Sequence, residues 1–401
     1  MQRKGTVSCL ILLTLAIFSV GTAIPQTHAW SIAGHQIIVK YAASLLPNGW
    51  KEFFEYYGWL LNETTTYPDT YYREFDPTEA PRHYVDLEVW NPSNPSTGTL
   101  PQSVAEFEGK MQLALGDKDW NSMFLYAGRV AHYIADATQP YHSTINYNPL
   151  SRNGVELHQV LDSSLAAHIS EFKLLNSSTV SLKPIGNLTE FALDTAIQSH
   201  TFLPVINQTL IDEGLDWSPE LTRIVENRTN TAIIAVARVW YTAILSAHIG
   251  APVLPAVNQL HIAIENVSTT TDSSTIIFHV NDVLGIRTYA DVTMVLNNST
   301  IHAFVANVFP PVGEYVIVLG RDISLSNFTL TATRIGYNSS SLFVSVPQST
   351  TSQSLTHEVS TFSSTVESVA FPLQPVTTVA MIIATLALVS LIWVTRRSKD
   401  S

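Results

Sequence analysis

Between His132 and His142 the chain reads HYIADATQPYH, and ELHQVLD follows soon after. On an α-helix His132 and Asp136, four residues apart, stack on one face about one turn from each other, and His158 and Asp162 repeat the spacing. Two helices can therefore each turn an imidazole and a carboxylate toward one cleft, which is metal-ligand spacing. A single such pair is more often a core or surface histidine with its hydrogen bonds satisfied. The set changes the odds: His35, His83, His132, His142 and His158, with Asp69, Asp136 and Asp162, all fall in the first half of the chain. His and Asp without Cys suit catalytic or multinuclear zinc, because such donors leave the ion Lewis-acidic. Phosphoryl transfer is the first chemistry to consider. The charge of a phosphodiester repels a nucleophile, and adjacent metal ions neutralise its oxygens while acidifying the attacking water.

The elements that must hold these side chains are helical over residues 30–250. Ile37 to Leu46 and Val104 to Leu115 have apolar residues at helical spacing, and Met123, Phe124, Ala127, Val130, Ala131 and Ile134 form an apolar face. Pro140 should end that helix and throw His142 onto a loop facing the cleft. Thr231 to His248 is apolar enough to be a weak membrane-span candidate, but Arg238 in its middle makes it a buried helix of the same domain. After Pro252 the texture turns to short β-rich runs: Thr275–Val280, Val292–Leu296, Tyr315–Leu319, Phe328–Thr333 and Leu342–Val346. Residues 251–347 therefore read as a β-sandwich of immunoglobulin-like or fibronectin-like topology, with no cluster of catalytic residue types and the role of a spacer or a binding module, spacer being favoured.

The two ends speak of export and anchoring. Residues 1–29 have the basic start, apolar run and small-residue end of a signal peptide. Cleavage after Ala29 would free the α-amino group of Trp30, a potential metal ligand. Residues 348–375 are a Ser/Thr-rich stalk, 376–394 an uncharged run of membrane-spanning length, and 395–401 a basic cytoplasmic tail. The expected location is the cell surface, with the bulk of the chain outside. The one cysteine, Cys9, lies in the leader, so no disulfide is expected. About ten Asn-x-Ser/Thr sequons, among them Asn62, Asn187, Asn207, Asn227, Asn266, Asn298, Asn327 and Asn338, suit a glycosylated surface. A net charge of −12 argues against a broad basic nucleic-acid surface, though a metal cluster can itself attract a phosphodiester.

Taken in order, Trp30, His35, Asp69, His83, His132, Asp136, His142, His158 and Asp162 resemble the zinc-dependent phospholipase C and single-strand nuclease superfamily over about residues 30–250. The resemblance implies an all-α catalytic domain with three zinc ions, here followed by the sandwich and a C-terminal transmembrane helix. By that resemblance Asp69, His83, His132 and Asp136 hold one zinc, and His142, His158 and Asp162 a second. The Trp30 amine and carbonyl, His35 and a bridging Asp136 hold the third. A hydroxide between the first two ions would attack phosphorus in line, with Asp69 in the catalytic set and Arg73 steadying the phosphoryl oxygens. The nuclease branch has its arginine three residues after the aspartate, whereas here the interval is four.

The substrate branch stays open. WSIAGH, Asp rather than Glu at Asp162, and Tyr84 and Asp86 as base-binding residues in HYVD favour single-strand nuclease activity slightly. The short interval from His142 to His158 and the missing disulfides are closer to phospholipase C. The expected partners are a phosphodiester substrate, single-stranded nucleic acid or phospholipid, and a membrane through the C-terminal helix, with no obligate protein partner evident. A reading of another class is a non-catalytic glycosylated surface protein with structural zinc, but structural sites are usually closed and Cys-rich.

Overall fold

The structure, a computed structural model, describes residues 30–346 apart from 152, 176–179, 213–216, 271, 298, 303, 306–312, 321–322 and 324. The expected leader, stalk, membrane span and cytoplasmic tail lie outside the described residues, as does the sequon at Asn298. Of the other sequons named, Asn187, Asn227, Asn266, Asn327 and Asn338 are exposed, and Asn62 and Asn207 are half-buried.

A helical N-terminal domain precedes a β-rich C-terminal one. The helices are α1 (Ser31–Ser44), α2 (Trp50–Tyr56), α3 (Gly58–Thr64), α4 (Leu100–Asp117), α5 (Trp120–Asp136), α6 (Leu157–His168), α7 (Leu188–His200), α8 (Leu203–Asp212) and α9 (Pro219–Ala247). Helix α5 is the hub. The Asp119 side chain caps it by accepting from Ser122 N at 3.1 Å, and its apolar face is buried on α3, α4 and α9. The helix ends at Asp136, and Pro140 opens a 3₁₀ turn, Pro140–Ser143, that carries His142. Phe53 and Phe54 of α2 pack on Phe124 of α5 at 5.2 and 5.6 Å between ring centres, and the Trp240 indole of α9 donates to the Ala127 carbonyl at 2.9 Å.

Among the described residues α9 is long and apolar enough to cross a membrane, and it starts well before Thr231. Ser218 caps its start, Pro219 occupies the first turn, and it packs on α1, α4 and α5. Arg238 lies on its half-exposed side, where Nε donates to the Lys183 carbonyl at 3.1 Å and the guanidinium covers the Phe191 ring at 4.7 Å. The charge thus sits on the rim of the packed face.

The C-terminal domain stacks two antiparallel four-stranded sheets, ordered β1-β2-β6-β5 and β4-β3-β7-β8. The strands are β1 (His261–Thr269), β2 (Ser273–Asn281), β3 (Asp291–Leu296), β4 (Ser299–His302), β5 (Phe304–Val305), β6 (Glu314–Gly320), β7 (Phe328–Thr333) and β8 (Ser340–Val344). This is the strand order of an immunoglobulin-type sandwich with one strand added beside β3. Alternating burial along β2, β3, β6 and β7 puts Ile276, Phe278, Val280, Met294, Ile317 and Leu330 in its core. Strand β1 escapes the alternation rule because a bulge between Ile264 and Asn266 shifts its register, and β4 and β5 are too short to leave a pattern.

Candidate metal centre

Three elements bring the histidines and aspartates together. α5 carries His132 and Asp136 one turn apart, α6 carries His158 and Asp162 in the same relation, and α1 delivers His35. All five side chains are buried. Asp69 comes from a π-helical turn, Pro68–Tyr72, and His83 from a 3₁₀ turn, Ala80–His83. A π turn holds one residue more than an α turn. The four-residue interval from Asp69 to Arg73 is absorbed in this way, and Arg73 Nε lies 3.4 Å from Asp69 Oδ1 with its side chain 19% exposed.

The donor atoms converge. His35, His132 and Asp136 form one group whose ligand atoms lie within 4.8 Å of one another, and Asp69, His83 and His132 form a second. Asp136 bridges them: Oδ1 faces His35 Nε2 at 3.3 Å, while Oδ2 faces His83 Nδ1 at 3.0 Å and His132 Nε2 at 3.5 Å. His158 Nε2 lies 3.2 Å from His142 Nε2 and 3.3 Å from Asp162 Oδ2. The Trp30 backbone N–H bonds Asp162, and the Trp30 indole is fixed by donating to Ala135 O and Thr138 Oγ1 at 3.0 and 3.1 Å. All nine residues expected to ligate metal thus line one buried cluster.

The protonation states test whether these residues suit a cation. His132 Nδ1 donates to the Thr65 carbonyl at 2.8 Å, and His142 Nδ1 donates to the His83 carbonyl. Each ring has spent its proton outward, so Nε2 presents a bare lone pair. His132 directs that lone pair at Asp69 Oδ2 (3.7 Å) and Asp136 Oδ2, and His142 directs its own at another imidazole nitrogen. Burial, reinforced for His132 by neighbouring His35 and His83, holds His132, His142 and His158 down to about 3, so all three are neutral at pH 7. His83 Nδ1 also stands 3.2 Å from His132 Nε2, and lone pairs and carboxylate oxygens that converge in this way in a buried site repel one another unless a proton or a cation lies between them. Donors about 2.1 Å from a tetrahedral zinc stand roughly 3.4 Å apart, close to the 3.2 and 3.3 Å edges around His158. Asp162 fits the same logic, since burial raises its pKa well above normal despite hydrogen bonds from Gln139 and Trp30, and an adjacent cation would reverse that. The residues suit zinc.

A supporting layer was not foreseen in the sequence. His83 Nε2 lies 3.4 Å from Glu79 Oε1, and the buried Glu79 carboxylate also binds the Arg129 guanidinium and the Tyr133 hydroxyl. Burial alone would raise the Glu79 pKa, but His83, Arg129 and Tyr133 together hold it below normal. For His83, burial and Arg73 push the pKa down, whereas Asp136, Glu79 and Asp69 raise it overall. Gln139 Nε2 donates to Asp162 Oδ1 at 2.6 Å. Little in the sequence marks this layer: Glu79 stands four residues before His83 with Pro81 between them, and Arg129 lies on the side of α5 opposite its apolar face.

Tyr84 and Asp86 follow His83 along an extended segment whose Val85 N donates to His142 O at 2.9 Å. Val85 turns inward, leaving both side chains half-buried on the other side. Gly98 allows this path, since a Cβ there would lie 2.1 Å from the Tyr84 carbonyl oxygen. Burial and the nearby Glu88 raise the Asp86 pKa, and burial with Asp86 raises that of Tyr84. The two residues flank the centre without joining its donor set.

No family model and no curated protein sequence matches the chain. Among solved structures it is similar to the alpha toxin from Clostridium absonum, at 12% identity and a TM-score of 0.41, over 79% of this chain and 95% of that one. It is also similar to a Clostridium perfringens alpha-toxin from an avian strain, at 13% identity and a TM-score of 0.41, over 79% and 92%. Likeness at that level carries no weight for activity, which rests on the side chains themselves.

Proposed function

We propose that this chain is an exported, membrane-anchored zinc-dependent phosphodiester hydrolase and that its substrate is a phospholipid. The observation that carries the hydrolase reading is the convergence of buried imidazole and carboxylate donors in two groups, His35 with His132 and Asp136 and Asp69 with His83 and His132, the ligand atoms of each lying within 4.8 Å of one another. Zinc bound there supplies positive charge for the phosphoryl oxygens and acidifies an attacking water. The chain's own groups do the rest. Asp136, with Oδ1 toward His35 and Oδ2 toward His83 and His132, spans the two donor groups, which share His132. Arg73, partly exposed beside Asp69, offers a guanidinium to charge developing on phosphorus. The buried walls exclude bulk water, which strengthens both effects.

The choice of phospholipid rests on the rim. Ile145, Tyr147, Leu150 and Val155, between His142 and His158, are 38–59% exposed, and Ile32, between Trp30 and His35, is exposed as well. Ile32, Ile145 and Val155 are each three residues from a cluster histidine, so chain geometry keeps their Cα atoms within about 11 Å of it. Exposed apolar side chains gathered beside a site suit a lipid-water interface better than a polyanion. A second reading, single-strand nuclease, draws on Tyr84 and Asp86 beside the centre.

The test uses the full chain with zinc, offered phospholipid vesicles, a water-soluble short-chain phosphodiester, and single-stranded DNA. We expect vesicle hydrolysis, its loss with Asp136→Asn in a protein that stays folded, and a selective fall on vesicles, not on the soluble ester, with Ile145→Ser combined with Leu150→Ser. Cleavage of DNA with intact vesicles moves the assignment to nuclease. An Asp136→Asn protein that unfolds, with no hydrolysis by the wild type, leaves the structural-zinc reading.

A further inference from the structure

The sandwich meets the helical domain at Asn258, which accepts from the Tyr56 hydroxyl, at Arg334, which covers the Trp59 ring at 4.6 Å, and through the loop Asp282–Tyr289 between β2 and β3. Asp282 Oδ1 shapes the loop by accepting from Leu284 N and Ile286 N at 2.9 and 3.0 Å, and Oδ2 accepts from the hydroxyl of Tyr57, between α2 and α3, at 2.5 Å. Ile286 is fully buried and belongs to the helical core. Asn121, in the first turn of α5, donates to Gly285 O at 2.9 Å and accepts from Arg287 N at 2.8 Å. With the loop held in this way, Tyr289 arrives at a fixed place.

That place is the link joining α3 to the π turn. Tyr289 OH donates to Glu63 Oε1 at 3.3 Å and comes within hydrogen-bonding reach of Tyr67. Its ring leans on Trp59 at 5.9 Å, and its carbonyl accepts from Arg334 Nη1 at 3.0 Å. Glu63 and Tyr67 bracket the link. Between them the Thr65 carbonyl takes the proton of His132 Nδ1, and the Thr66 carbonyl accepts from Asp69 N at 3.1 Å. On another side, Thr64 and Tyr67 border a cavity of about 300 Å³ that Asn121 and Arg287 also line. Packing there leaves the link room to shift, so a hydrogen bond from outside has something to restrain.

We infer that Tyr289 of the sandwich is a positioning residue for the metal centre, acting through Glu63 and Tyr67 on the segment that orients His132 and supplies Asp69. The inference rests on the cluster's being a metal site. Outer groups that hold a ligand's orientation change metal affinity by about 10–100-fold when removed.

The experiment compares full-length wild type, Tyr289→Phe, Glu63→Gln and Leu330→Ala, the last in the sandwich core away from the loop and the link. It measures zinc affinity by competition with a chelator, the absorption spectrum of the cobalt(II)-loaded protein, and the thermal stability of the metal-free protein. Tyr289→Phe and Glu63→Gln are expected to weaken zinc binding about tenfold and alter the cobalt spectrum. Leu330→Ala is expected to lose stability yet keep affinity and spectrum. Wild-type affinity and spectrum in Tyr289→Phe overturn the inference, as does an equal loss of affinity in Leu330→Ala, which would make the effect general loosening. A wild type that takes up no zinc fails earlier, at the reading of the cluster itself.

Discussion

A histidine that has given its one ring proton to a backbone carbonyl can only accept with its other nitrogen, and His132 and His142 are both in that state. Glu79 governs a third ring in another way, standing behind His83 with Arg129 and Tyr133 on its own oxygens. Changing Glu79 to Gln keeps the shape and removes the charge. Zinc affinity, measured by chelator competition, should fall about 10–100-fold through the loosened His83 ring. Stability in urea should fall by about 3–5 kcal/mol, because the buried Arg129 loses its charged partner. Unchanged affinity would place Glu79 in the core alone. The pairs His132 with Asp136 and His158 with Asp162 were legible because His-x3-Asp on a helix is a local pattern. Glu79 has the same spacing from His83, but Pro81 lies between them and the 3₁₀ turn obeys no helical rule, so only the folded chain reveals the pair.

At the scale of elements, the centre depends on how closely α5 approaches α3. Gly128 permits it: a Cβ there would lie 2.2 Å from Thr64 Oγ1 and 2.6 Å from the Thr64 backbone carbon. Gly128→Ala is therefore expected to destabilise by roughly 1–3 kcal/mol, although alanine is the better helix former. Gly109 on α4 has open space around its Cβ position, and Gly109→Ala should stabilise by about 0.5–1 kcal/mol. Thermal denaturation reads both, and opposite signs are the signature of a close approach. The hydrophobic period revealed α5, the core of α4 and the inner strands, because each carries apolar residues at a regular spacing. It did not reveal the short helices α2 and α3, which are packed through aromatic residues, or the bulged strand β1. Nor did it reveal the π turn, since a single inserted residue leaves no mark on composition.

For the whole molecule, the expectation of the sandwich as a spacer gives way to a shared core. Ile286 belongs to the helical core, and Asp282 to Tyr57, Asn121 to Gly285 and Tyr289 to Glu63 are all bonds across the seam. The two domains should unfold together, in one calorimetric transition whose calorimetric and van't Hoff enthalpies agree, and Ile286→Ala should lower its stability by about 2–5 kcal/mol. Two resolved transitions in the wild type would contradict this. Nothing in VLGIRTY marks Ile286 as core, because a lone apolar residue in a turn has no period. Packing thus crosses the border near Pro252 through the loop that carries Ile286. A recombination event that joined this helical half to a different module at that proline would leave an open socket where Ile286 had been, so the two halves are bound to be inherited as a pair.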